Sequence, residues 1–423
     1  EVVVVGGVRR SALISLSNLS DDRMRAAKSG AWFNTDPQRA LANNSAVYTN
    51  RPDTGVFMQE WQSLYESKSG ERGIFNRESA QQKAAQNKRR AWDVDFGTNP
   101  CSEIILRPNQ FCNLTEVVCR HEDDRNSLAR KIRIATLLGT IQSTLTDFGY
   151  LRKRWITNTE EERLLGVSLT GIMDCELLHT SPEKLSYSAN VPYLEDTLKY
   201  LRNVAVTTNK KWAEKLGIPQ STAITCVKPS GTVSQLVDSA SGIHARHSEF
   251  YIRTVRGDNK DPMTAFLKDM GIPNEPQRNG NVESKDVSVF SFPVKTYAKS
   301  IYRNDLSAIQ QLEIWKTYAE HWCEHKPSVT VSVKEREWIE VGAWCWNNFD
   351  HLSGVSFLPY ADHSYIQAPY QEITKEEYSK AMKTMPKKRI DWSLLTEFEK
   401  EDTTKGAQEL ACTAGVCELV DIT

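Results

Sequence analysis

At 423 residues the chain has material for one large domain or two ordinary ones, each able to bury a core. Its 53 Lys and Arg against 54 Asp and Glu leave a net charge of −1, which gives no reason to expect a nucleic-acid tract or an anionic membrane surface as the main partner. No apolar run is long enough to span a bilayer and no secretory pattern is present, so a soluble, cytoplasmic protein is expected.

Short apolar runs alternate with longer amphipathic stretches, the pattern of parallel strands joined by crossover helices, and an α/β architecture is expected. Val2–Val5, closed by Gly6-Gly7, is the first strand candidate. Residues 67–90 are polar and rich in Lys, Arg and Gln, and read as a surface excursion. Ile132, Ala135, Leu138, Ile141 and Leu145 recur at helical spacing, as do Leu194, Leu198, Leu201 and Val204, the latter running to a stop at Gly217-Ile218-Pro219. Strand candidates follow at 164–169, 223–227, 328–333 and 354–358, and helices at 314–322 and 338–346, whose tryptophans read as core. Charge rises after Glu372, and the chain closes on a Thr- and Gly-rich stretch with Cys412 and Cys417, read as a mobile tail.

Nine cysteines, an odd number, in a chain of this size point to reduced thiols rather than a disulfide scaffold. The loop Asn99-Pro100-Cys101-Ser102-Glu103 puts an amide, a thiol and a carboxylate on alternate residues. In an extended loop these face one way: the amide holds a hydroxyl, the carboxylate takes its proton, and the thiol exchanges a proton, an electron pair or a hydrogen atom. The plainer alternative is a buried cysteine beside a surface acid. Cys112 opens the next strand candidate, either as a second thiol near the loop or as a core cysteine. Ser230, Gly231, Thr232 and Val233 follow a strand candidate and open a helix, which makes either an anion site or an ordinary serine cap. The Walker pattern is absent. Cys412 and Cys417 lack two further ligands at zinc spacing and fit a redox dithiol better, with an incidental pair as the alternative.

The ordered blocks Gly6-Gly-Val-Arg-Arg-Ser-Ala, Gly73-Ile-Phe-Asn-Arg, Asn99-Pro-Cys-Ser-Glu-Ile, Phe111-Cys-Asn-Leu-Thr-Glu-Val, Leu165-Gly-Val-Ser-Leu-Thr-Gly-Ile-Met-Asp, Lys228-Pro-Ser-Gly-Thr-Val-Ser, Pro327-Ser-Val-Thr-Val-Ser-Val and Ser353-Gly-Val-Ser-Phe-Leu-Pro, with the final cysteine pair, resemble the adenosylcobalamin-dependent (class II) ribonucleotide reductases, in their monomeric triphosphate-reducing form. The resemblance covers essentially the whole chain and implies the C-terminal portion of a ten-stranded α/β barrel with a central finger loop, its N-terminal strands missing. Residues 1–371 would form the partial catalytic barrel, including cobalamin-contacting segments after Arg256, and residues 372–423 the C-terminal region and redox tail.

By that resemblance Cys101 carries a thiyl radical, Glu103 is the general base on the ribose 3′-hydroxyl and Asn99 holds the ribose hydroxyls. Cys112 is one half of the reducing dithiol, whose partner cysteine is absent from this chain. Cys412 and Cys417 regenerate it with a thioredoxin-like reductant, and Ser230 to Val233 hold the substrate phosphates. Adenosylcobalamin is the implied cofactor, with no histidine ligation of cobalt, since no Asp-x-His-x-x-Gly occurs. The glycyl-radical and di-iron types are disfavoured, because neither an Arg-Val-x-Gly-Tyr motif nor a Tyr-Tyr pair is present. Cys119, Cys175, Cys226, Cys323 and Cys345 read as structural thiols. The open alternatives are diphosphate substrates, an inactive half-barrel that needs an N-terminal partner, and a simple dithiol oxidoreductase on a compact scaffold carrying Cys-x-x-Cys, a motif not seen here.

Overall fold

The computed structural model describes residues 12–180, 192–279, 282–296, 300–360 and 367–399. The strand candidate Val2–Val5, the block from Gly6 and the tail cysteines Cys412 and Cys417 lie outside these residues. The chain divides into two compact units, residues 13–246 with 299–360, and residues 1–12 with 247–298 and 361–423.

The larger unit opens with three parallel strands, β1 (Leu13–Asn18), β2 (Ala42–Tyr48) and β3 (Gly73–Asn76). A short hairpin of β4 (Gly97–Thr98) and β5 (Ile105–Leu106) follows, then β6 (Asn113–Val118) and, parallel to it, β7 (Leu165–Thr170). In the smaller unit β8 (Phe250–Asp258), β9 (Asn274–Asn279) and β10 (Val282–Lys295) are antiparallel, and β13 (Tyr370–Glu372) completes a four-stranded sheet in the order β13-β8-β10-β9. Back in the larger unit, β11 (Val329–Val333) lies parallel to β12 (Val355–Pro359), and β12 meets β3 antiparallel at Val355 and Ile74.

The segment 223–227 bridges the rest of the larger unit, with Thr225 paired to Val167 of β7 and Val227 to Pro327 just before β11. The ribbon therefore runs β1-β2-β3, then β12-β11-(223–227)-β7-β6: three parallel strands opposed to five, with β1 and β6 outermost among the described residues. The β4–β5 hairpin lies in the chain between the two groups.

Most of the predicted helices form. Residues 125–142 are started by Asp124, which accepts from the backbone of Asn126 and Ser127 while Ser127 caps in return. Residues 192–216 end where Gly217 takes φ +67°. Trp315, Trp322 and Trp338 are buried.

The reading of residues 67–90 as a surface excursion is overturned. They contain β3, fully buried, and the helix Arg77–Gln86 with Ser79, Ala80, Lys83 and Ala84 inside. Their polarity is matched internally instead of by water: Arg72 donates to both oxygens of Glu60, at 3.0 and 2.7 Å, and to the Ser17 hydroxyl, and Arg90 grips Glu162 at 2.8 Å. A buried charge is stable only when paired and hydrogen-bonded in this way.

Candidate functional site

Thr98 and Ile105 close the β4–β5 ladder, so residues 99–104 project as the tip of a finger. The tip is turned rather than extended, which corrects the expectation that alternate side chains share a face. Ser102 takes φ +63° and its N–H donates to the Asn99 carbonyl at 2.9 Å. The Asn99 side-chain oxygen accepts from the Ile104 N–H at 2.9 Å, and the Thr98 hydroxyl donates to the Ile104 carbonyl. Neighbouring strands hold the finger in place. Asn43 donates to the Pro100 carbonyl, the Lys326 N–H to the Glu103 carbonyl, and a side chain at Gly354 (φ +75°) would stand 2.7 Å from the Ser102 carbonyl oxygen.

This turn separates the two reactive groups by environment. Cys101 is exposed, whereas Glu103 is 1% exposed. Burial raises the Glu103 carboxyl, while a hydrogen bond with Asn99 and the charge of Lys228 work against the rise. Its Oε2 has no hydrogen-bond partner among the described residues. A carboxylate so placed is ready to take a proton from a hydroxyl that enters the site.

Cys112 stands immediately before β6, and its thiol is pushed up by burial and by the charge of Glu103. It packs over β7 at Gly166, where a Cβ would come within 3.2 Å of its sulfur. Just upstream, Gln110 donates to Glu162 at 2.5 Å and accepts from the Arg107 N–H, which ties this stretch to the Arg90–Glu162 pair. The cysteines read as structural, Cys119, Cys175, Cys226, Cys323 and Cys345, are all buried and free. Burial raises each thiol, to about 11 for Cys175 and about 12 for Cys323, which suppresses the reactive thiolate.

Lys228 and Ser230 follow the 223–227 strand segment and lead into a short helix, Gly231–Leu236. The serine-cap alternative fails, because Ser230 makes no side-chain capping bond. Its hydroxyl donates instead to Glu116 Oε2 on β6 at 2.8 Å, and its N–H donates to the Ser241 hydroxyl. Gly231 takes φ +46° and Val233 is exposed. The charge of Lys228 acts on both Glu103 and Glu116. Asn99, Cys101 and Glu103 share the finger tip, Cys112 feels the charge of Glu103, and Ser230 is held by Glu116 of β6.

Sequence reasoning missed Glu116, Lys228 and His325. The His325 Nδ1 accepts from the Ile105 N–H at 3.2 Å, so its Nε2 carries the hydrogen and donates to the Leu165 carbonyl at 3.0 Å, joining finger to barrel. The only available signal was its place two residues before the Pro327 block. Burial, then the charge of Arg90, lowers its pKa to about 3. The unfolded chain takes up this proton near about 6.5, so it binds more protons than the folded chain between the two values, and stability rises with pH across that window. Replacing His325 with Gln should flatten this dependence, as measured by urea unfolding at about pH 7 and about pH 5; an unchanged slope would exclude His325 as its source.

Among the described residues there is no His, Cys, Asp or Glu cluster able to hold a metal ion, and no helix long and apolar enough to cross a membrane. The fold matches a crystal structure of B12-dependent (class II) ribonucleotide reductase with a TM-score of 0.72 and 21% identity, over 93% of this chain and 56% of that one. It matches the alpha subunit of the Actinobacillus ureae class Id enzyme with a TM-score of 0.56 and 11% identity, over 82% and 70%. No protein-family model matches the chain.

In sequence the chain is similar to curated adenosylcobalamin-dependent ribonucleoside-triphosphate reductases. That of Lactobacillus acidophilus is 26% identical over 407 residues, 89% of this chain and 52% of its own length. That of Lactobacillus gasseri is 25% identical over 454 aligned positions, 99% of this chain and 58% of its own length. The chain thus spans little more than half the length of the curated relatives it matches.

Proposed function

We propose that the chain supplies the radical end of an adenosylcobalamin-dependent reduction of ribonucleoside triphosphates to deoxyribonucleoside triphosphates, for DNA precursor synthesis. The observation that carries this reading is the finger itself: an exposed thiol at its tip and, two residues on, a buried carboxyl with an unpartnered oxygen. The exposed tip of Cys101 suits hydrogen transfer to a group bound outside the finger. Segments after Arg256 and after Glu372 would hold adenosylcobalamin, which when bound would supply organic-radical chemistry, and Cys101 would be the thiol that yields its hydrogen.

Cys101 then removes the ribose 3′-hydrogen. Glu103 accepts the 3′-hydroxyl proton while Asn99 orients the ribose hydroxyls, and the 2′-hydroxyl leaves as water. The two electrons come from Cys112 and a partner thiol, which end as a disulfide. Cys412 and Cys417 reduce that disulfide by exchange and are themselves renewed by a thioredoxin-like dithiol. Ser230, Gly231, Thr232 and Val233 receive the phosphates. Supplied with adenosylcobalamin, a ribonucleoside triphosphate, a small dithiol and a polypeptide that carries a partner thiol for Cys112, the chain is expected to form the deoxynucleotide, and no product under these conditions would sink the reading.

A second reading, that this barrel works only with a further strand-bearing segment, is favoured by one observation. Beside the outer strand β6, the helix 125–142 and the residues after it leave Ile134, Leu138, Ile141 and Leu145 exposed on one face. Activity that appears only when a polypeptide carrying the missing cysteine is added would support it, and full activity without one would exclude it.

A further inference from the structure

Glu116 has no role in the chemistry above, yet it contacts the turn at Ser230. It lies on β6, and its Oε2 holds the Ser230 hydroxyl at 2.8 Å. Its Oε1 is buried and has no hydrogen-bond partner among the described residues. A carboxylate at this position opposes a phosphate twice over. It repels the anion, and it takes the donor that the anion needs.

We propose that Glu116 is a proton-operated gate on the phosphate turn: charged, it keeps the Ser230 hydroxyl for itself, and protonated, it releases that hydroxyl to an incoming phosphate. The inference rests on the reading of Ser230 to Val233 as the phosphate site and adds a positioning residue to it.

The surroundings suit such a gate. Among the described residues, Lys228 from the segment before the turn acts on Glu116, and Arg120 just after β6 and Lys131 from the helix 125–142 line the same cleft as Glu116. Two of these cations are engaged elsewhere. Arg120 donates to the carbonyls of Val237 and Asp238, and Lys131 to Asp123 at 2.6 Å and to the Val118 carbonyl. Lys228 remains to act on Glu116, and it is shared with Glu103. Burial raises the Glu116 carboxyl above the ordinary carboxylate range, and this rise is opposed only in part by the Ser230 hydrogen bond and by Lys228. The protonated form is thereby brought closer to working pH. No bond is made or broken in the gate beyond this proton, which comes from solvent.

Binding of inorganic tripolyphosphate to the full chain, followed by calorimetry from about pH 5 to about pH 8.5, tests the proposal. Linkage requires the wild-type dissociation constant to rise above the Glu116 pKa by up to about tenfold per pH unit, relative to a protein lacking that proton. Glu116→Gln keeps the shape and cannot ionise, so the ratio of wild-type to variant dissociation constants should climb with pH from near unity. The probe's own titration cancels in this ratio. Glu116→Ala, which removes the carboxylate, serves as the second variant and should behave alike. A ratio that stays constant across the range would overturn the gate while leaving the phosphate site standing. Absence of tripolyphosphate binding to all three proteins would overturn both.

Discussion

Cys101→Ser is expected to lower deoxynucleotide formation by at least about three orders of magnitude while leaving nucleotide affinity nearly unchanged. A hydroxyl O–H bond is far stronger than a thiol S–H bond, so serine cannot yield its hydrogen to an organic radical at a useful rate. The substitution also removes little from the fold, because Cys101 is exposed at the tip of a turn whose geometry is set by Ser102, Asn99 and Gly354. A product assay, a nucleotide titration and a thermal melt on the same preparation separate these effects. Multiple turnover by the variant would remove Cys101 from the radical role.

The largest expected effect on stability lies at Asp174 and Arg246, in the same unit as the turn at Ser230. Arg246 donates to Asp174 through Nε at 2.9 Å and through a terminal nitrogen at 3.0 Å, and also to the Asp238 carboxylate and carbonyl. Asp174 further accepts from the Ala240 N–H and the Ser300 hydroxyl. Both partners are almost wholly buried, at 1% and 5% exposure. Removing one member of such a pair strands the other charge away from water, so Arg246→Met or Asp174→Asn should each destabilise the chain by about 3–5 kcal/mol. The double substitution should recover part of that loss. Denaturant unfolding measures all three, and a loss below about 1 kcal/mol for either single change would show that the pair relaxes into solvent.

The half of the barrel after the finger was the more legible part of the sequence. β7, β11 and β12 are compact apolar runs, and the helix 125–142 advertises its buried face through Ile132 and Ala135. Residues 67–90 were read wrongly for a definite physical reason. Composition counts charges but cannot see that Arg72, Lys83 and Arg90 spend theirs on partners inside the protein, such as Glu60, the Ala319 carbonyl and Glu162. The antiparallel sheet of β8, β9 and β10 went unrecognised, because the long strand β10 is largely polar before Val287.

Within the site, Asn99, Cys101, Glu103, Cys112 and Ser230 were all named from the sequence. Spacing alone left each of them with an ordinary alternative, and the ordered motifs supplied the weight. What stayed hidden was their support. His325 meets Ile105 across 220 residues of chain, and Glu116 meets Ser230 across 114, so neither contact leaves a local pattern to read. The turn at Ser102 was equally invisible, since a positive φ in a non-glycine residue is imposed by its surroundings, here the packing of Gly354.

The central claim is that Cys101 removes the hydrogen at C3′ of the ribose. Competition between a ribonucleoside triphosphate deuterated at C3′ and its unlabelled form, with adenosylcobalamin and a dithiol present, addresses that claim most directly. The account predicts that the unlabelled nucleotide is consumed faster, enriching deuterium in the remaining substrate. Equal consumption of the two, with deoxynucleotide accumulating, would contradict it.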